Sequence, residues 1–536
     1  MNEPLISDAV QRNDRDRGFE IAGMSLWAIA FLILTAIISL VAAHYRPIEG
    51  DDLLELWCDR VPSLSQLVRI QRTAPLVIDP FFYHGIIYSV IRLFGVRPFF
   101  LRLPSLSGFL MMQVCLYFFV RRIASARVAA FALGLPALTG GFIYTMQIRP
   151  YGVLLGLFGL AMISWQTAAR RNENRTAALV VLALSIAAAV NSQYYGVLLM
   201  LPLGVGEAVR VWERRRLDKP MLVSMVAGMG GMVFVLPFLK GAADFRGHYK
   251  AGNVPYQAIT QTYNFLVLGR DTFTEGANHL LAIGLALVIA LVLWSCLRVW
   301  RRKAIRLPEA EFAFLVVLAA LPMFAFLLGH FVTHAMESRY AIGAVIGMAA
   351  LLAIALVPVI GSGVMGPVAV VALIAGFAWK AAVEVQAERD TRTFDSGNLV
   401  ISPVVQAAIR SSPGHRIYTQ DIDLVGFIAF HDADPAVLKD LVLVYSQDEE
   451  MRWNHSETDT KIIEDLKTFA PYTILPYESV LDEPGDHLFV VAHGGWNWLD
   501  KAFASGELQV TPVGVAFGRD VVYVRAPQTR EARRVR

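Results

Sequence analysis

"IAGMSLWAIAFLILTAIISLVAAHYRPIEGDDLLELW", Ile21–Trp57, sets a long apolar run directly against a knot of acids. The run from about Ile21 to Ala43 is too long for a signal-peptide core and has no convincing cleavage site, so it reads as a retained membrane helix. Asp51 and Asp52, with Glu49 and Glu55 close by, then stand where the chain leaves the bilayer. Carboxylates gathered at a membrane exit need a reason.

The rest of the chain is as apolar as its start. Of 536 residues 55% are hydrophobic, and the mean hydropathy is +0.49. Runs of spanning length recur at roughly 21–43, 101–120, 128–147, 150–168, 177–190, 194–209, 221–239, 279–297, 311–330, 341–359 and 364–382. The expected fold is a polytopic α-helical membrane protein of about eleven transmembrane helices. A net charge of +3 implies no nucleic-acid partner. Cys58, Cys115 and Cys296 show neither pairing nor metal spacing.

The basic residues report orientation. With the N-terminal tail (1–20) cytoplasmic, the loops RRIASAR (121–127), RRNENR (170–175), RVWERRRLDK (210–219) and RVWRRKAIR (298–306) all fall inside, with 3, 3, 5 and 5 Lys/Arg. FFYHGIIYSVIRLFG (81–95) is too short to span and carries Arg92, so it is expected to lie in the interface within one extracytoplasmic segment, 44–100. A transmembrane domain over 21–383 is then followed by a change of composition. Over 384–526, strand-like runs (HRIYTQ, LVLVYS, HLFVVAH, DVVYVRA) alternate with helix-like ones, the pattern of a small extracytoplasmic α/β domain. Residues 527–536 read as a tail. The setting is the cell's inner (plasma) membrane.

This topology collects polar groups on the extracytoplasmic face. EGDD (49–52) is joined there by Arg149 in QIRPY, by NSQYY (191–195), by Lys240 with the charged loop after it, and by HFVTHAMESRY (330–340) with His330, His334, Glu337, Arg339 and Tyr340. Ionisable groups at membrane depth are costly and mark function or a satisfied pair. Two arginines suit a bidentate grip on a lipid-linked phosphate. A carboxylate such as Asp51 or Asp52 suits removal of a proton from an acceptor hydroxyl.

At this point the residues resemble a known family. EGDDLLEL, DPFFYHG, RLPSLSGFL with RRI, QIRPYGVLLGL, SQYYGVLLML and ESRYAIGAV occur in the order seen in GT-C glycosyltransferases, in the branch of the protein O-mannosyltransferases and the lipid A aminoarabinose transferase. The likeness covers roughly residues 20–360. It implies a polyprenyl-phosphate-linked sugar as donor, inverting transfer, and an active site at the extracytoplasmic face. Asp51 maps onto the catalytic acid, with Asp52 beside it. Arg149, Arg339 and His84 are the expected phosphate contacts, and Glu49, Tyr83, Tyr151, Tyr194, Glu337 and Tyr340 the expected substrate contacts. The acceptor is an unassigned lipid, glycan or protein. No cofactor is certain, although an acidic pair suits a divalent cation as well as base chemistry.

Three positions depart from the pattern. The second acid is Asp52 rather than Glu. A basic-Pro-Pro motif reads Asp79-Pro80-Phe81, with His84 or Arg72 as the nearest replacements for the cation. Gln193-Tyr194 stands for His-Tyr.

Simpler readings stand beside these. Asp51 and Asp52 suit a helix N-terminus, Arg149 an interface anchor, Arg339 with Glu337 an ion pair, and Asp79 a cap for the following helix. His330 and His334, spaced i and i+4, lack a third ligand for a metal. A transporter or flippase would place its polar residues near the midplane of paired halves, and no internal repeat is seen. A GT-C-like scaffold without catalysis is the other alternative.

Overall fold

The computed structural model describes residues 20–525 apart from 22, 49, 171–173, 247–253, 270–274, 362–363, 399–400, 431–438, 469 and 494–496. Glu49 and the two terminal tails therefore lie outside the described residues, as does most of the charged loop after Lys240.

The apolar runs fold as helices. α1 (Leu26–Tyr45) is the first of membrane-crossing length. Three shorter helices follow: α2 (Asp51–Asp59), α3 (Leu64–Thr73) and α4 (Phe81–Phe94). Next come α5 (Pro98–Arg121), the short α6 (Ala126–Gly134), α7 (Tyr151–Ala169) and α8 (Arg175–Ser192). Among the described residues seven helices are long and apolar enough to cross a membrane. They are α1, α5, α7, α8, Tyr194–Arg214, Lys219–Ala243 and Met365–Asp390. An eighth is counted if Glu309–Ala319 and Leu321–Thr333, bent by 53°, form one span. The remaining expected runs appear as α6 with the 3-10 turns after it, as Glu275–Arg301, and as Ala344–Ala355. The chain is thus a multi-pass helical membrane protein, while the count of eleven is not reached by length and hydropathy alone. At 14 residues, α4 reaches about 21 Å, short of a hydrocarbon core of about 30 Å.

The described chain divides into two compact units. The first takes Met1–His44, Asp79–Pro237 and Asn253–Gln386. Its centre is the crossing of α5 and α7, where glycines let two backbones meet. A Cβ on Gly108 would lie 2.3 Å from the Gly152 carbonyl oxygen, and one on Gly152 would lie 2.4 Å from that of Ser105. Small residues drive such close packing in membranes, where burial of apolar surface no longer separates folded from unfolded helices. At the end of α7 far from Arg149, Gln166 donates to Glu311 at 2.9 Å and Arg170 pairs with Glu311 at 3.1 Å. Nearby in sequence, Arg210 pairs with Glu207 at 2.5 Å and with Asp218 at 2.7 Å. Arg170 and Arg210, cations that report topology in the sequence, are therefore also ion-pair partners, and Arg210 is buried.

The second unit takes Tyr45–Ile78, Phe238–Gly252 and Ala387–Arg536. Its core is a six-stranded sheet of β1 (Ile417–Thr419), β2 (Leu441–Tyr445), β3 (Thr473–Pro476), β4 (Asp486–Val491), β5 (Gln509–Ala516) and β6 (Arg519–Arg525), in the order β3-β2-β1-β4-β6-β5. β1 to β4 pair in parallel, and β6 pairs antiparallel with both β4 and β5. Parallel strands are covered on both faces, which is why LVLV reads as a continuous apolar run rather than an alternation. Leu441 and Leu443 pack into one cluster, Val442 and Val444 into the other. The four expected strands are all present, β3 and β5 being additional.

α2 belongs to this second unit. Trp57 packs against the cluster of Leu441 and Leu443, with its ring centroid 6.3 Å from that of Tyr472 at 82°. Leu53 Cδ1 lies 3.3 Å from where a Cβ on Gly426 would stand.

Candidate functional site

In the first unit, Arg149 precedes α7, whose N-cap is Pro150. Proline supplies the φ for the helix start but no donor. Arg149 is only 5% exposed. Its backbone is fixed by Ser105, which donates to the Arg149 carbonyl at 2.9 Å, and the Tyr83 hydroxyl lies 3.3 Å from the same Ser105 oxygen. Its guanidinium stands 5.8 Å from the centroid of the Tyr151 ring and its Nη2 is 3.8 Å from Asp79 Oδ2. Asp79 is likewise 5% exposed.

The Asp79–Arg149 pair replaces the expectation that Asp79 caps α4. The N-cap of α4 is Pro80, and no side chain caps it. Asp79 instead turns to the arginine some seventy residues on, a long-range choice that no local pattern signals. Its charge swap against the basic-Pro-Pro pattern was the one available clue.

Other predicted residues gather here. The charges of Arg339, Asp79 and Arg149 all act on the Tyr151 hydroxyl, and that of Asp79 on Tyr194. Arg339 is half-buried, and the loop carrying it is tied in place by aromatic and hydroxyl contacts. Tyr340 stacks on Tyr195 at 4.3 Å and 20°, and the Tyr195 hydroxyl donates to the Ala335 carbonyl at 2.7 Å. Gln193, which departs from the family's His, accepts a bond from the Tyr195 backbone N–H and so caps the turn that carries Tyr194 and Tyr195. His84 is fully buried on α4, whereas Glu337 is exposed. His334 ends a π-turn in the left-handed region (φ 54°), while His330 sets its Nδ1 3.1 Å from the Val254 carbonyl. Arg72 is exposed on α3.

In the second unit, Gly50 is the N-cap of α2 at φ 53°, a conformation that favours glycine and turns the chain into the helix. Asp51 and Asp52 then occupy the first turn, where the helix dipole favours carboxylates. Asp51 is half-buried. Asp52, Glu55 and Asp59 share one buried face at 3%, 0% and 0% exposure, and their hard oxygens are of the type that suits a divalent cation. Asp51 also acts on Asp423, in the first turn of the helix Ile422–Phe430. Loss of local water, then the charges of Asp421 and Asp51, push the Asp423 carboxyl up to about 6, even though the residue keeps a solvent-facing edge. Asp459 is pushed up to about 7 by burial and by Glu450, Asp423 and Asp421. Asp421 itself is held by Arg519 at 2.7 Å and caps its helix through the Leu424 N–H at 2.9 Å.

Comparison with known proteins bears on this arrangement. Residues 79–240 match the family model of dolichyl-phosphate-mannose-protein mannosyltransferase, a segment that contains Asp79, Tyr83, His84, Arg149, Tyr151 and Tyr194. ArnT from Cupriavidus metallidurans bound to undecaprenyl phosphate is similar in structure, with a TM-score of 0.55 at 12% identity over 93% of this chain and 98% of that one. The apo state of the same protein gives 0.54 at 13%, over 93% and 97%. No curated protein matches this chain in sequence. Likeness at this identity speaks for the fold alone, and the family model matches less than a third of the chain. The chain therefore shares its fold with ArnT over nearly its whole length, and its residues 79–240 match the mannosyltransferase family model.

Proposed function

We propose that this chain is a membrane glycosyltransferase that moves a sugar from a polyprenyl-phosphate carrier to an extracytoplasmic lipid, glycan or protein. The observation that carries the reading is the gathering of Arg149, Arg339, Tyr151 and Tyr194 around Asp79 at the start of α7, all but Arg339 within the segment that matches the mannosyltransferase family. A pair of guanidinium groups is suited to an anionic phosphate, because arginine offers a planar pair of donors and stays charged.

In this reading Arg149 and Arg339 grip the donor phosphate and screen the charge that builds on it as the glycosidic bond breaks. His84 contributes to the same phosphate. Asp51, with Asp52 beside it, takes the proton from the attacking hydroxyl, which enters on the face opposite the leaving phosphate and so inverts the anomeric carbon. Tyr83, Tyr151, Tyr194 and Tyr340, with Glu49 and Glu337, orient sugar and acceptor. A divalent cation, if used, would be held by carboxylates of α2. The protein belongs in the inner membrane, with its N-terminus cytoplasmic and residues 384–526 as an extracytoplasmic domain.

Mass spectrometry of lipids and glycans from cells lacking the gene tests this. One sugar modification should vanish and return with wild type but not with Arg149→Ala or Asp51→Asn. An unchanged glycan and lipid profile on deletion would refute the enzyme reading and favour a transporter or a scaffold.

A further inference from the structure

The carboxylate of Asp79 stands where it opposes the ligand the site is built for. It is buried, it is 3.8 Å from Arg149, and its charge reaches both Tyr151 and Tyr194. A charge-assisted bond would bring oxygen and nitrogen to about 2.7–2.9 Å, and at 3.8 Å this contact is looser than that. An incoming phosphate thus meets two cations and one anion.

Glycosyl transfer changes the charge of the lipid. The donor is a phosphodiester with one negative charge. When the bond between the anomeric carbon and the phosphate oxygen breaks, its electron pair stays on that oxygen, and the product is a monoester carrying nearly two charges at neutral pH. Two arginines alone would therefore hold the spent carrier more tightly than the donor, and release would limit turnover. A fixed carboxylate repels the doubly charged product more than the singly charged donor.

We infer that Asp79 is a positioning residue that holds Arg149 back and tilts the site toward the sugar-loaded carrier, so that the spent lipid phosphate is released. The inference rests on the phosphate-clamp reading above, and the two fail differently.

Binding is measured on the full chain in lipid nanodiscs with two probes: undecaprenyl phosphate, a monoester, and undecaprenyl methyl phosphate, a singly charged diester. Asp79→Asn should bind the monoester several-fold more tightly than wild type and the diester by clearly less. Asp79→Glu, whose longer arm reaches Arg149 in direct contact, should bind the monoester more weakly than wild type. It also stands in should Asp79→Asn fail to fold. Equal gains for both probes, no gain, or weaker binding by Asp79→Asn overturns the inference, as does unchanged or tighter monoester binding by Asp79→Glu. If Arg149→Ala leaves both affinities untouched, the phosphate clamp itself is wrong.

Discussion

Ser105 donates its hydroxyl proton to the backbone carbonyl of Arg149 across 2.9 Å, so α5 fixes the residue that opens α7. The arginine's aim depends on this bond and on Tyr83, which lies 3.3 Å from the same hydroxyl. Ser105→Ala should lower donor kcat/KM by about tenfold, the worth of one buried hydrogen bond. Steady-state transfer assays with purified protein check this, and Tyr83→Phe should show a smaller effect of the same sign.

Gly152 has no room for a side chain. Its Cβ would lie 2.4 Å from the Ser105 carbonyl oxygen, and both partners are helix backbone that cannot give way. Gly152→Ala should destabilise the protein by about 1–3 kcal/mol or more, seen as a lowered thermal midpoint in detergent. An unchanged midpoint would mean that the α5–α7 crossing relaxes freely.

Asp51→Asn should abolish transfer by a factor of about 10²–10⁴, the usual worth of a general base, and leave binding of undecaprenyl phosphate intact. Asn keeps the size and the helix-start position, so a loss of activity with retained binding separates chemistry from folding. Retained activity would move the role to Asp52.

Arg149→Lys keeps the charge but loses the planar pair of donors. Donor KM should rise about tenfold, with a smaller change in kcat. An equal fall in kcat with KM unchanged would mean that Arg149 acts only on the transition state.

Asp423 gives a pH prediction of definite sign. Its carboxyl is raised to about 6 in the folded chain, against about 3.9 unfolded. The folded state therefore holds this proton more tightly, and the stability it lends is complete below about pH 4 and lost as pH rises through about 6. Asp423→Asn should stabilise the protein at pH 7.5 by about 1 kcal/mol or less, since the residue keeps solvent contact, and by a smaller amount at pH 4.5. Thermal unfolding at the two pH values decides it.

Much of the architecture is legible in the sequence because membrane helices and parallel strands both write themselves as apolar runs. α5, α7 and α8 appear within a few residues of the expected spans, and β1, β2, β4 and β6 coincide with the strand-like stretches. Arg149 and Arg339 stand out in the sequence as cations at span ends, and the charges of both act on Tyr151. Asp79 was misread because its partner is set by how α4 and α7 start, not by its neighbours in sequence. The role of Gln193 as a cap was hidden for the opposite reason: the cap is local, but the residue was weighed only as a replacement for the histidine of a His-Tyr pair. Arg210 carries two meanings at once, a topology signal and a buried ion-pair partner, and sequence shows only the first.

The packing of α2 with the chain's last third has a consequence for how the protein is made. Trp57 enters a core built from β1, β2, β4 and β6, strands that leave the ribosome hundreds of residues later. The segment that carries Asp51 must therefore wait, without these partners, while the helices between are made. Its acids keep that waiting segment soluble, and its order arrives last. The order of this loop is in this way coupled to synthesis of the strands, so a chain cut short before residue 387 would hold most of the apolar helices and still lack the packing around Trp57.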